Sequence, residues 1–121
     1  MNTLWVGLGG ALGSIARYHL GRFAHARAPT FPWGTLAVNL VGCLLISVLV
    51  QLVLRGRADD TLRLALGVGV LGGFTTYSSF NVETIALAES GAWGRAAAYV
   101  AITLVGGLAL GVAGWFIGRS I

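Results

Sequence analysis

The sequence predicts an all-α integral membrane protein of four transmembrane helices, and three observations carry that prediction. Hydrophobic residues make up 56% of the 121 residues and charged residues only 10%, whereas a soluble domain carries about 25% charged residues. Four long apolar stretches, with few or no charges, follow one another along the chain, and a bilayer core takes about 20 apolar residues per helix. Glycine supplies 19 residues where about 7% of a chain is usual. Together these exclude a soluble globular enzyme, a disordered tail and a disulfide scaffold.

The first span opens on an uncharged run from Met1 to Ala16 and, with Arg17 inside it, continues to about Phe23. It lacks the charged n-region and short apolar h-region of a cleaved leader, so it is expected to be retained. Pro29 and Pro32 sit just ahead of the second span, where proline is tolerated at a helix start. That span, Trp33–Leu54, has 22 residues without a charge. After the polar stretch Arg55–Arg63 the third span begins at Leu64. It is uncharged for 19 residues to Val82 and continues past Glu83 to about residue 88. The fourth follows Ser90–Arg95 and is uncharged for 23 residues, Ala96 to Gly118. The expected single transmembrane domain thus has spans at about 3–23, 33–54, 64–88 and 95–118, with no room between them for an extramembrane domain. Trp5, Trp33, Trp93 and Trp115 lie near span ends, as an interfacial aromatic belt requires.

All eight basic residues are Arg, against Asp59, Asp60, Glu83 and Glu89, for a net charge of +4. They are scattered between apolar runs, so no phosphate-tracking patch forms and nucleic acid is not an expected partner. The single Cys43 lies in an apolar run without a second Cys or nearby His and reads as a small core residue. His19 and His25 have no metal-ligand spacing and read as interfacial. With four spans, one side of the membrane carries Arg55, Arg57, Arg63 and Arg119, and the other carries Arg17, Arg22, Arg27 and Arg95. Orientation follows the excess of Lys and Arg on the cytoplasmic side; here the count is four against four. A single orientation is the commoner outcome for membrane proteins. Insertion both ways would instead give an antiparallel, dual-topology homodimer with two-fold symmetry, which suits four thin helices that can hardly enclose a polar path alone. Gly9 and Gly13, and Gly107, Gly111, Gly114 and Gly118, form small-residue stripes that allow close helix packing in lipid, within a subunit or between subunits.

The third span is the informative one. Gly72-Gly73-Phe74-Thr75-Thr76 is a poor helix in mid-membrane and predicts a break. Freed backbone groups at a break must be buried in protein or line a cavity, and carbonyls at the end of a half-helix attract a cation such as Na+. A glycine-kinked helix with satisfied hydroxyls is the simpler alternative. Beyond the break, Tyr77 and Phe80 share a face, with Ser79, Glu83 and Thr84 close to it. The edge of an aromatic ring carries positive quadrupole and can meet a small bare anion, although either ring alone is accounted for by core packing. Asn39 offers amide donors to a path or to an interhelical hydrogen bond. Arg17 would raise the local anion concentration in a vestibule. Glu83 is the one acidic residue within a span, where carboxylates default to function, unless it ties down a helix end. Thr103 offers a hydroxyl to a path or back-bonds to its own helix.

In these residues the chain resembles the Fluc (CrcB-like) family of fluoride channels. The matching stretches are Gly9-Gly10-Ala11-Leu12-Gly13 with Arg17-Tyr18, Trp33-Gly34-Thr35-Leu36-Ala37-Val38-Asn39-Leu40-Val41-Gly42, and Gly72-Gly73-Phe74-Thr75-Thr76-Tyr77-Ser78-Ser79-Phe80 with Glu83-Thr84. With the four spans the resemblance covers the whole chain. It implies a dual-topology homodimer with two antiparallel fluoride pores and a structural Na+ at the dimer centre. Gly72 and Thr75 would offer backbone carbonyls to that ion. Asn39 would line the pore, Tyr77 and Phe80 would meet fluoride with their ring edges, and Ser78, Ser79 and Thr103 would continue a polar track. Arg17 would sit in the vestibule, with Glu83 nearby. Tyr77 stands where the family usually has Phe, and Gly107 where a hydroxyl residue is common.

The expected function is therefore a fluoride-selective channel, not an enzyme, that lets cytoplasmic fluoride leave passively through a prokaryotic inner membrane and so lowers its toxicity. No nucleophile, acid–base pair or nucleotide motif is visible. The rival is a small multidrug-resistance-type proton-coupled transporter, also four spans and dual-topology. It would be expected to carry a carboxylate deep in the first span, and this chain has none there.

Overall fold

The computed structural model describes Met1–Ile121 and is helical apart from short connections. Helix α1 covers Asn2–Arg27 and α2 covers Trp33–Leu54. Helix α3 covers residues 60–74, α4 covers Tyr77–Glu89, and α5 covers Trp93–Ser120. Only Thr75 and Thr76 separate α3 from α4, so the two form the halves of one interrupted segment. Within α3 and α5 the stretches Arg63–Leu71 and Ile102–Gly106 are wound in wider, π-type turns, a distortion that gathers at functional sites.

The connections are built by local chemistry. Helices α2 and α4 both end with a left-handed glycine, Gly56 at φ 69° and Gly91 at φ 82°, the conformation that lacks a Cβ penalty only in glycine. In each case the next residue closes the motif: Arg57 N–H donates to Leu52 O at 2.8 Å, and Ala92 N–H to Leu87 O at 2.9 Å. Asp59 caps α3 by accepting from Leu62 N–H at 2.7 Å.

Both glycine stripes are used inside the chain. A Cβ at Gly9 or Gly13 would fall on the carbonyl oxygens of Ala65 and Val70, so α1 lies backbone to backbone on α3. On α5, a Cβ at Gly114 would fall on Leu44 O of α2, and one at Gly118 would come within 2.6 Å of Gln51 Cβ. Gly107 and Gly111 have ordinary space, with Cys43 Sγ at 3.4 Å and Ser47 Oγ at 3.6 Å.

Thin helices packed this closely bury little: 16 of 121 residues are buried, and large apolar side chains such as Leu12, Val105 and Leu108 face outward. An exterior of that kind suits lipid or a partner rather than water. The one compact cluster is Leu36 of α2, Phe80 of α4 and Tyr99 of α5, with Phe31, Leu40, Leu87 and Val100 around it. By length and composition α2 and α5 each suffice to cross a membrane. Helix α1 has the length but carries Arg17, two His and many glycines, and the interruption leaves α3 and α4 each too short to cross alone.

Candidate functional site

The interruption is where several of the candidate site residues meet. Thr75 is extended at φ −81°, ψ 157° and Thr76 at φ −154°, ψ 118°, after two glycines and before a second helix start. Thr76 is the N-cap of α4, its hydroxyl accepting from Ser79 N–H at 3.2 Å. The Thr75 hydroxyl turns back to the Leu71 carbonyl at 2.9 Å. Two extended residues leave backbone groups outside the helical ladder, and in hydrocarbon such groups would be bare. Side chains from the two preceding helices seal them. Asn39 of α2 pairs with Thr76 in both directions, its Nδ2 donating to Thr76 O at 3.0 Å and its Oδ1 accepting from Thr76 N–H at 2.8 Å. Arg17 of α1 donates from Nη1 to Thr75 O at 3.0 Å. Because Thr76 N–H goes to Asn39, it is withheld from the Gly72 carbonyl, its partner in an unbroken helix.

One turn into α4 lies an aromatic run. Phe80 is buried and meets Tyr99 edge-on at 5.1 Å and Tyr77 at 5.6 Å, while Phe31 also meets Tyr99 edge-on at 5.4 Å. Tyr77 itself is 77% exposed. A turn beyond Phe80, Glu83 is held by two hydroxyls: Thr35 donates to Oε1 at 2.8 Å and Tyr99 to Oε2 at 2.7 Å. A carboxylate with one hydroxyl on each oxygen is fixed in rotamer, and its charge is spread over two strong hydrogen bonds.

These groups border two openings. A groove of about 1040 Å³ runs along one face between α2, α3, α4 and α5 and is lined by Asn39, Gly72, Thr75, Tyr77, Phe80 and Thr103 among others. Thr103, in the π-type stretch of α5, has a buried hydroxyl with no hydrogen-bond partner. Ser78 is exposed and Ser79 half-buried, both 3.2 Å from the Thr76 hydroxyl and outside the groove lining. On the far side of Phe80, Glu83 and Thr35 lie at the edge of a separate cleft of about 840 Å³ between the end of α1, the α1–α2 connection and α4. Of the ten residues expected to line the path or hold the ion, the groove thus gathers six, while Arg17, Glu83, Ser78 and Ser79 lie off it.

Two further residues complete the cluster around Glu83. Tyr99 is fully buried and joins the Phe80 ring to the Glu83 carboxylate. Its signal was an aromatic with a polar tip inside the run Ala96-Ala97-Ala98-Tyr99, away from the belt where Tyr ordinarily sits. Thr35 carries no such signal in the sequence; its hydroxyl fixes the other oxygen of Glu83.

An all-helical chain with an apolar exterior and a sealed helix break bordered by polar groups has the make-up of a small integral membrane protein. Comparison with known proteins gives the family. Residues 4–115 match the family described as CrcB-like protein, Camphor Resistance (CrcB), and the chain belongs to that family. A protein of Novosphingobium aromaticivorans named fluoride-specific ion channel FluC is 48% identical over 122 residues, covering 98% of this chain and 94% of that protein. A protein of the same name from Agrobacterium fabrum is 48% identical, covering 100% of this chain and 98% of its own. One from Thermus thermophilus is 45% identical over 98% and 94%.

Proposed function

We propose that the chain is a fluoride-selective channel, not an enzyme, through which cytoplasmic fluoride leaves passively and its toxicity falls. The observation that carries this reading is the buried Phe80, edge-on to Tyr99, with hydroxyl and amide groups of the groove on one side and the Thr35–Glu83–Tyr99 cluster on the other. The names of the relatives supply the anion.

In this reading fluoride sheds water in the groove as hydroxyl and amide donors take its place. Asn39 keeps one amide hydrogen beyond its bond to Thr76, and the unpartnered Thr103 hydroxyl offers another donor. The ion then passes the positive edges of Tyr77 and Phe80, where attraction is weak enough for it to leave. Beyond them it competes with Glu83 for the hydroxyl hydrogens of Tyr99 and Thr35. Chloride is turned away largely by size.

A groove open along one face suits closure by a second, antiparallel copy in a multi-pass inner-membrane homodimer. Whether a Na+ fits between two such breaks is a matter of acceptors. The Gly72 carbonyl has lost the Thr76 N–H, and the Thr75 carbonyl takes one bond from Arg17 and keeps its second lone pair. Both are therefore able to accept a cation, and the Gly72 and Thr75 carbonyls of each copy would hold it. Na+ bound there would supply a positive charge that ties the two breaks together.

The test is efflux from proteoliposomes followed with a fluoride electrode, chloride efflux being the parallel control. Rapid fluoride release with negligible chloride release is expected. No fluoride release from folded, reconstituted protein would overturn the reading.

A further inference from the structure

Besides Glu83, the cleft beyond Phe80 carries two cations that the fluoride path does not use. Glu83 lies among its lining residues one turn past Phe80 on α4, and Arg22, His25 and Arg95 line it together with the α1–α2 connection. An anion at this end meets a carboxylate, which by itself repels it. The two guanidiniums reverse the sign: Arg22 and Arg95 against Glu83 leave a formal +1 before any contribution from His25. Neither Arg is neutralised by an acid. Arg95 donates to the Thr30 carbonyl at 2.9 Å and Arg22 to the Tyr18 hydroxyl at 3.3 Å, and the one ion pair in the molecule is Arg63 with Asp60, elsewhere. The remaining charges near this end, Arg27 and Glu89, do not line the cleft; Arg27 lies over the Phe23 ring at 3.6 Å. Arg17, the cation first expected to gather anions, is engaged at the helix break instead.

We propose that Arg22 and Arg95 form an anion-collecting mouth at the α4 end of the path, overriding the charge of Glu83 and setting how fast fluoride is captured there. The proposal rests on the fluoride-channel reading. A charged, low-dielectric cleft raises the local concentration of a counter-ion by about 10-fold or more. Its reach is about 30 Å at 0.01 M ionic strength and about 3 Å at 1 M.

The experiment measures initial fluoride efflux from proteoliposomes at about 10 mM and about 1 M ionic strength, set with an impermeant organic salt. It compares the native chain with R22Q/R95Q, the charge-keeping R22K/R95K, and R57Q, which alters an Arg outside the cleft. Expected is a loss of about tenfold for R22Q/R95Q at low ionic strength, shrinking to less than about twofold at 1 M. R22K/R95K and R57Q keep the native rate, and the native rate itself falls as salt rises. Equal rates for R22Q/R95Q and the native chain at low salt, a deficit that salt does not narrow, or a native rate indifferent to salt each overturn the proposal. If R22Q/R95Q does not fold, the native salt dependence and the rate of R22K/R95K decide the matter. Failure of the native chain to pass fluoride at all would instead remove the channel reading, and the mouth with it.

Discussion

Asn39→Ala separates a residue that lines a path from one that closes a backbone. The native amide makes two bonds to Thr76, at 3.0 and 2.8 Å, and Thr76 is only 7% exposed. Alanine strips both bonds at once and leaves one N–H and one C=O unsatisfied. Each such group costs about 1–3 kcal/mol, so the loss should be about 2–6 kcal/mol, less whatever water entering the groove recovers. The assay is denaturant unfolding of the purified protein in micelles, followed by fluorescence of its four Trp, alongside fluoride efflux. Cys43→Ala, one turn along the same helix and free of polar bonds, is the control and should cost less than about 1.5 kcal/mol. Asn39→Asp keeps an acceptor for Thr76 N–H and should fall between alanine and native. An Asn39→Ala protein within about 0.5 kcal/mol of native stability, with only its flux reduced, would refute the clasp and return Asn39 to a purely path-lining role.

Other substitutions test the remaining links. Gly13→Ala should destabilise by about 1–3 kcal/mol through overpacking against Val70 O, while Gly7→Ala, with nothing within 4 Å, should be neutral; unfolding midpoints compare them. Phe80→Leu should slow fluoride efflux at least about tenfold while costing less than about 1.5 kcal/mol, since it keeps an apolar group of similar volume against Leu36 and Tyr99. Tyr99→Phe removes the hydroxyl from Glu83 Oε2 and should cost about 1.5–3 kcal/mol. A double-mutant cycle with Glu83→Gln should return a coupling energy well above the error of the unfolding assay, and additive effects would deny the link.

The helical class followed from composition and from the uncharged run Trp33–Leu54, because burying apolar side chains in lipid leaves no alternative to internal backbone bonding. Gly72-Gly73 ahead of two Thr pointed to the right few residues, since local propensity is weakest there. The way that segment is satisfied was not legible. Asn39 and Thr76 are 37 residues apart, and Arg17 and Thr75 are 58 apart, so only the packing angle of three helices brings them together. For the same reason the sequence alone does not decide between the two roles open to Asn39. Tyr99, an aromatic in an apolar run, reads as core from sequence, and only the fold sets the Glu83 carboxylate opposite it. The π-type turns have no signature in residue type at all.

The break at Thr75–Thr76 also bears on the order in which the chain is made. Both side chains that satisfy it, Arg17 and Asn39, belong to helices that leave the ribosome earlier. During vectorial synthesis, N-terminal elements are in place first. The weakest stretch of backbone therefore arrives in a membrane that already holds its donors and acceptor, and it never has to wait bare in lipid. A circular permutant that began at α3 would reverse that sequence of events. Its finished structure would be the same, but α3 and α4 would have to insert with the Thr75 and Thr76 carbonyls and the Thr76 N–H all unmet, and biogenesis rather than final stability would suffer.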